Sequence, residues 1–133
     1  MITFIDTNIL LDVFLPDPEF GERSLNSLET VFHEGSIIIN DIIYAELVPQ
    51  FSDKSILKSA LSKLGIRIVP LNQEIAYIAG TSWKKYREAG GSRERILTDF
   101  LIGAHAQVHA ERLLTRDRGF YKRYFTNLKV VEP

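Results

Sequence analysis

The sequence predicts a one-domain α/β protein, with a mostly parallel sheet covered by helices on both faces, and three observations predict it. Short β-branched runs alternate along the chain with longer stretches of helical periodicity, the pattern of successive βαβ units. At 133 residues the chain is long enough to bury a core yet short for two domains, so 1–133 is expected to fold as one unit. Its composition, 45% hydrophobic and 25% charged without repeats or low-complexity tracts, is that of an ordinary globular domain.

Ile2, Thr3, Phe4 and Ile5 read as the first strand, and Asp6 ends it where Asn8 can cap the first turn of a helix. Pro16 and Pro18 break the chain after that helix. Leu25, Leu28, Val31 and Phe32 recur at helical spacing up to Gly35, which suits a C-cap. The β-branched run 36–40 is a second, buried strand. Asp41 is the expected N-cap of a helix that holds Ile42, Ile43, Glu46 and Leu47 and ends near Pro49. Ser52 or Asp53 caps the next, with Ile56, Leu57, Ala60, Leu61 and Leu64 on one face and Gly65 at its close; a third strand spans 66–69.

Asn72 opens a longer helix through Ile75, Ile78, Ala79, Trp83 and Tyr86, stopped by Gly90 and Gly91. A loop over 91–95 leads into a helix at about 96–110 with the stripe Phe100, Leu101, Ala104 and Val108, where Gly103 would admit a neighbouring backbone. A fourth strand at 112–115, a short helix at 119–124 and a last strand at 128–131 complete the chain.

No apolar run approaches the length that spans a bilayer, and the first residues lack the basic start and apolar stretch of a signal peptide, so a cytoplasmic protein is expected. With no Cys, any metal must be held by oxygen or imidazole. The net charge of -1 conceals an asymmetry: residues 1–53 carry ten acids and one basic residue, Arg23, whereas 54–133 carry fifteen basic residues and seven acids. That split fits a phosphate-facing surface beside a cation-holding region, and equally fits two solvated faces.

Four acids lie where solvent would not take them. Asp6 and Asp117 follow directly on apolar strands, and strand carboxyl ends are where open α/β sheets gather ligands. Asp6 could equally be a turn or cap residue. Glu46 has Ile42 and Ile43 at i-4 and i-3, and Asp99 lies between Ile96 and Ile102, which turns both toward apolar faces. Four such carboxylates drawn together would repel strongly unless a hard divalent cation lay among them; the alternative pairs each with its own arginine or helix terminus. Mg²⁺ or Mn²⁺ suits an all-oxygen set, and points to phosphoryl transfer or hydrolysis.

The residues carrying these acids resemble a known family. Asp6-Thr7-Asn8, Ala45-Glu46-Leu47, the run from Thr98 through Asp99 to Ala104, and the run from Leu114 through Asp117 to Phe120 are similar, in order and spacing, to the four acidic motifs of PIN-domain nucleases, above all the VapC-type toxins of toxin–antitoxin systems. The likeness covers nearly the whole chain. It implies a three-layer α/β/α domain and an endoribonuclease site dependent on Mg²⁺ or Mn²⁺, with Asp6, Asp99 and Asp117 as metal ligands. Glu46 would complete the catalytic set, through a second metal or by orienting water. Thr7, Asn8 and Thr115 would fix the carboxylates. The resemblance also implies a homodimer and a small antitoxin protein as partner.

Candidates to meet the RNA backbone are Arg93, Arg95, Arg116, Arg118, Lys122 and Arg123, each of which could also be a solvated surface charge. His105 and His109 stand four apart on one helix, but Ala106 replaces the Glu a zinc protease needs, and both rings point away from Asp99. Trp83 and Tyr86 suit packing; Tyr121 and Tyr124 suit packing or base stacking. The rival function from another class is a PIN-like module that binds RNA or protein without cutting.

Overall fold

A computed structural model describes residues 1–92 and 95–133. It contains β1 (Ile2–Ile5), α1 (Thr7–Phe14), α2 (Gly21–Glu34), β2 (Ser36–Ile39), α3 (Asp41–Leu47), α4 (Lys54–Lys63) and β3 (Ile66–Ile68). The chain continues through α5 (Gln73–Glu88), α6 (Leu97–His109), β4 (Arg112–Leu114), α7 (Arg118–Tyr124) and β5 (Lys129–Val131). The sheet order is β3-β2-β1-β4-β5 and all four pairings are parallel.

Because the chain steps from β1 to β2 to β3 and then returns across the sheet to β4 and β5, right-handed crossovers place α1 to α4 on one face and α5 to α7 on the other. The result is the three-layer α/β/α arrangement. Parallel strands sheathed on both sides must be apolar on both sides, and Phe4, Ile5, Ile38, Ile39, Leu113 and Leu114 are each no more than 1% exposed. Phe100 on α6 meets the rings of Tyr86 on α5 and Phe120 and Tyr124 on α7, which knits the second helical layer together. No helix among the described residues is long and apolar enough to cross a membrane.

Asp53 and Asn72 cap α4 and α5 as expected, accepting from the Ile56 and Ile75 N–H groups. Two other caps differ from expectation. Asn40, not Asp41, caps α3, because its side chain reaches the N–H of Ile43 at 3.0 Å while Asp41 is already helical. Asp6 rather than Asn8 caps α1, accepting from the Thr7 N–H at 2.8 Å. Leu25 and Phe32, placed on the apolar face of α2, are 38% and 51% exposed; Leu28 and Val31 supply its buried contacts.

Close approach accounts for Gly35 and Gly103. Gly35, at φ 157°, ends α2 against the Met1 carbonyl, where a Cβ would come within 1.9 Å. Gly103 admits the Phe125 ring and not a neighbouring backbone; a Cβ there would come within 2.3 Å of that ring.

Candidate active site

The strand order reverses at β1: the next strand in the chain lies on one side of it and β4 on the other. Connections diverge there, so a crevice opens at the carboxyl ends of β1 and β4. Asp6 follows β1 directly, Thr115 follows β4, and Asp117 lies two residues further.

Asp6 is 6% exposed. Its Oδ1 accepts from the Thr7 N–H, and its Oδ2 accepts from the Thr115 hydroxyl at 2.7 Å and the Asn8 amide at 3.3 Å. Burial pushes its pKa up from 3.8 to about 6; the Thr115 hydroxyl and the Thr7 N–H oppose the rise, while the charges of Glu46 and Asp117 add to it. Thr7 also donates its hydroxyl to Glu46 Oε1 at 2.8 Å, joining α1 to α3. Thr115, itself fully buried, accepts from the Asp117 N–H at 2.9 Å, and Asn8 Oδ1 accepts from the Arg116 N–H at 3.2 Å. Thr7, Asn8 and Thr115 thus form one hydrogen-bonded strap on which Asp6, Glu46 and Asp117 are carried.

Glu46 departs from its expected setting, because it is exposed. Ile43 and Leu47 define the buried stripe of α3, and at about 100° per residue Glu46 falls on the margin of that stripe. Asp99, in the first turn of α6, is half-buried and accepts from the Ile96 N–H at 3.2 Å. Burial raises its pKa; Asp117 adds to the rise, while the Ile96 hydrogen bond and Arg95 oppose it. The buried Tyr121 hydroxyl is held well above its ordinary pKa, first by burial and then by the charges of Asp6, Asp99 and Asp117. Those three acids therefore converge electrostatically on one ring of α7.

The convergence is incomplete. Among the described residues no three His, Asp or Glu side chains are gathered closely enough to hold a metal ion. Asp117 gives both oxygens to the Arg95 guanidinium, Oδ2 to Nη1 and Oδ1 to Nη2, the latter at 2.9 Å. In donor chemistry the set still fits a hard divalent cation: it offers only carboxylate oxygens, and it holds one of them, on Asp6, under like-charge pressure.

The basic candidates divide. Arg116 grips Asp12, with Nε 2.9 Å from Oδ2 and Nη2 3.0 Å from Oδ1, and its guanidinium lies 4.2 Å from the Phe20 ring centre. Asp12, 3% exposed, also accepts from the Ser24 hydroxyl at 2.7 Å. This buried carboxylate was missed by sequence reasoning, although an acid inside the run Ile9, Leu10, Leu11, Val13 and Phe14 was a signal for it. Arg118 stands 3.9 Å from Glu132, Lys122 is exposed, and Arg123 is exposed with its guanidinium 5.5 Å from the Tyr124 ring. Arg93 lies outside the described residues. A cleft of about 400 Å³ beside Arg95 is lined by Tyr86, Ser92, Gly119, Phe120 and Arg123.

Of the two histidines four apart on α6, His105 belongs to packing and His109 is exposed. His105 is fully buried and accepts at Nδ1 from the Asn40 amide, since Asn40 Oδ1 already takes the Ile43 N–H. Burial lowers its pKa to about 4, and its ring stacks obliquely on Phe4.

An all-parallel α/β/α sheet with carboxylates collected at its switch-point crevice belongs to the class of domains that bind or process ligands at that edge. The sequence matches the PIN domain family over residues 3–126, and the chain belongs to that family. Solved structures share the fold. VapBC2 from Rickettsia felis, bound to a DNA fragment from its promoter, is similar with a TM-score of 0.76 and 24% identity, over 99% of this chain and 98% of that one. VapBC-1 from nontypeable Haemophilus influenzae aligns with a TM-score of 0.73 and 19% identity, over 99% and 98% of the two chains. A toxin–antitoxin complex from Klebsiella pneumoniae aligns at 0.65 and 24%, over 97% and 95%. No curated protein matches the sequence.

Two measurements follow from this geometry. Between pH 3.8 and about 6 the unfolded chain has ionised Asp6 while the folded chain keeps the proton, so ionisation at neutral pH costs stability. Asp6→Asn should therefore be more stable to urea at pH 7 by about 1–2 kcal/mol, allowing for a lost acceptor, with the gain vanishing and turning into a small loss below pH 3.8. A variant no more stable than the parent at pH 7 would refute the strained carboxylate. Arg116→Ala, which leaves buried Asp12 with Ser24 alone, should lose roughly 2–4 kcal/mol in urea denaturation. A loss under about 0.5 kcal/mol would return Arg116 to the solvated surface.

Proposed function

We propose that this chain is a metal-dependent endoribonuclease that hydrolyses RNA phosphodiester bonds and acts as a VapC-like toxin restrained by a small antitoxin protein. The observation that carries the reading is the strap at the crevice. Asp6, buried and raised in pKa, shares one hydrogen-bonded path with Glu46 and Asp117, a gathering of like charge costlier than capping α1 requires. Membership of the PIN domain family and the fold shared with toxin–antitoxin complexes support it.

Asp6, Asp99 and Asp117 would hold Mg²⁺ or Mn²⁺. When bound, such an ion supplies charge stabilisation at the scissile phosphate and a water acidic enough to attack it at neutral pH. Glu46, anchored by Thr7 and open to solvent, would accept a proton from an attacking water at its carboxylate. Thr115 and Asn8 orient Asp6 by donating to it, the Thr115 hydroxyl also opposing the rise in its pKa, while Thr115 sets the backbone that presents Asp117. Arg118, Lys122 and Arg123 face solvent on or beside α7 and would meet RNA phosphates, with Arg95 at the cleft.

A second reading, a PIN-like module that binds RNA or protein without cutting, is favoured by one observation: both Asp117 oxygens are neutralised by Arg95.

Purified protein should cut RNA with Mn²⁺ or Mg²⁺, stop in EDTA, weaken as salt rises, and lose at least about a hundredfold in Asp99→Asn. Binding without cutting under all of these conditions would select the second reading, and cutting that survives both EDTA and Asp99→Asn would belong to a contaminant. Expression alone should arrest growth, and co-expression of a short adjoining reading frame should relieve the arrest, with the toxin sedimenting as a homodimer. Harmless expression would remove the toxin role while leaving the nuclease intact.

A further inference from the structure

Arg95 makes more contacts with the acid cluster than a surface arginine needs. Its two terminal nitrogens span both oxygens of Asp117, its guanidinium carbon stands 4.3 Å from the Phe120 ring centre, and its charge also acts on Asp99 and Tyr121. It lies just before α6, which carries Asp99, and reaches to the loop before α7, which carries Asp117. The pair is about one-third exposed on each side, 29% and 32%, so it is screened but not solvent-separated. A fork on two carboxylate oxygens, held from behind by an aromatic face, is the arrangement a guanidinium makes when it is the resident cation of a site.

We propose that Arg95 is the built-in counter-cation of the acid cluster, which a divalent ion must displace from Asp117 before Asp117 can serve as a ligand. The inference rests on the metal-site reading of the preceding section and adds a residue to it. While Arg95 spans both oxygens, the Asp117 carboxylate is neutralised and faces a guanidinium rather than an open site. Once released, the guanidinium remains on the wall of the cleft shared with Gly119, Phe120 and Arg123, where an RNA phosphate is its natural replacement anion. Metal loading and exposure of a phosphate-binding arginine are then one event, because the same side chain cannot do both.

The test is Mn²⁺ affinity by isothermal titration calorimetry at low ionic strength, with no substrate present. Arg95→Gln, which frees Asp117 and leaves the cluster one charge more negative, should bind Mn²⁺ about tenfold more tightly than the unaltered chain. Arg95→Lys, which keeps the charge but cannot span both oxygens, should gain less, about threefold. Circular dichroism spectra matching the parent certify both folds, and either variant alone suffices. Equal or weaker Mn²⁺ binding in the variants, with the parent binding normally, overturns the role of Arg95 and leaves the metal site standing. Absence of Mn²⁺ binding in the parent and both variants overturns the metal site and this inference with it.

Discussion

A carboxylate removed from water beside two others is the constraint on which the rest of this crevice depends. Asp6 is tolerated there because three donors converge on it, from the Thr7 backbone, the Thr115 hydroxyl and the Asn8 amide. Each donor belongs to a different structural obligation: the start of α1, the end of β4, and the first turn of α1 facing the β4–α7 loop. Pairing of β1 with β4 is therefore both a piece of the sheet and the means by which an acid is kept where it would otherwise be expelled. The wider fold supplies rigidity to that junction through strands buried on both faces, so the donors cannot drift from the oxygens they serve.

Much of this was legible in the sequence, for reasons that differ from residue to residue. Alternating β-branched runs and helical stripes announced the α/β class because burial on both sheet faces leaves no polar alternation to confuse the pattern. Asp53 and Asn72 were readable as caps because each precedes a clear helical stripe by the right interval. The setting of Glu46 was misjudged because i-3 and i-4 neighbours define a face only when both are buried, and Ile42 is just half-buried. Asn40 displaced Asp41 as the cap since the residue just after β2 already stands where the helix begins. Asp12 stayed hidden because its partner Arg116 is over a hundred residues away and no local period connects them. In the sequence Arg95 reads as a candidate for the RNA backbone or a solvated charge; its pairing with Asp117, 22 residues on, appears only in the folded chain.

Two buried titratable groups pull the chain in opposite directions as pH changes. Asp6 is reluctant to lose its proton and His105 is reluctant to gain one, so across mildly acidic pH the folded state holds one proton too many at the first and one too few at the second. Their contributions to the slope of stability with pH oppose each other. A domain with a strained acid at its sheet edge thus need not show a strained response to acid as a whole, because the buried His105 imidazole of α6, hydrogen-bonded to Asn40, offsets it.

The grip of Arg116 on Asp12 bears on how such a domain could diversify. A guanidinium clasped by a carboxylate in α1, braced on Phe20 and joined through its backbone to Asn8 is withdrawn from any conversation with substrate, even though it adjoins Asp117 in the chain. Freer cationic side chains stand nearby, Arg118, Lys122 and Arg123 on the outward side of α7, and these can change without stranding a buried carboxylate. The architecture separates letters that can be rewritten from one that cannot, although all four look alike in the sequence.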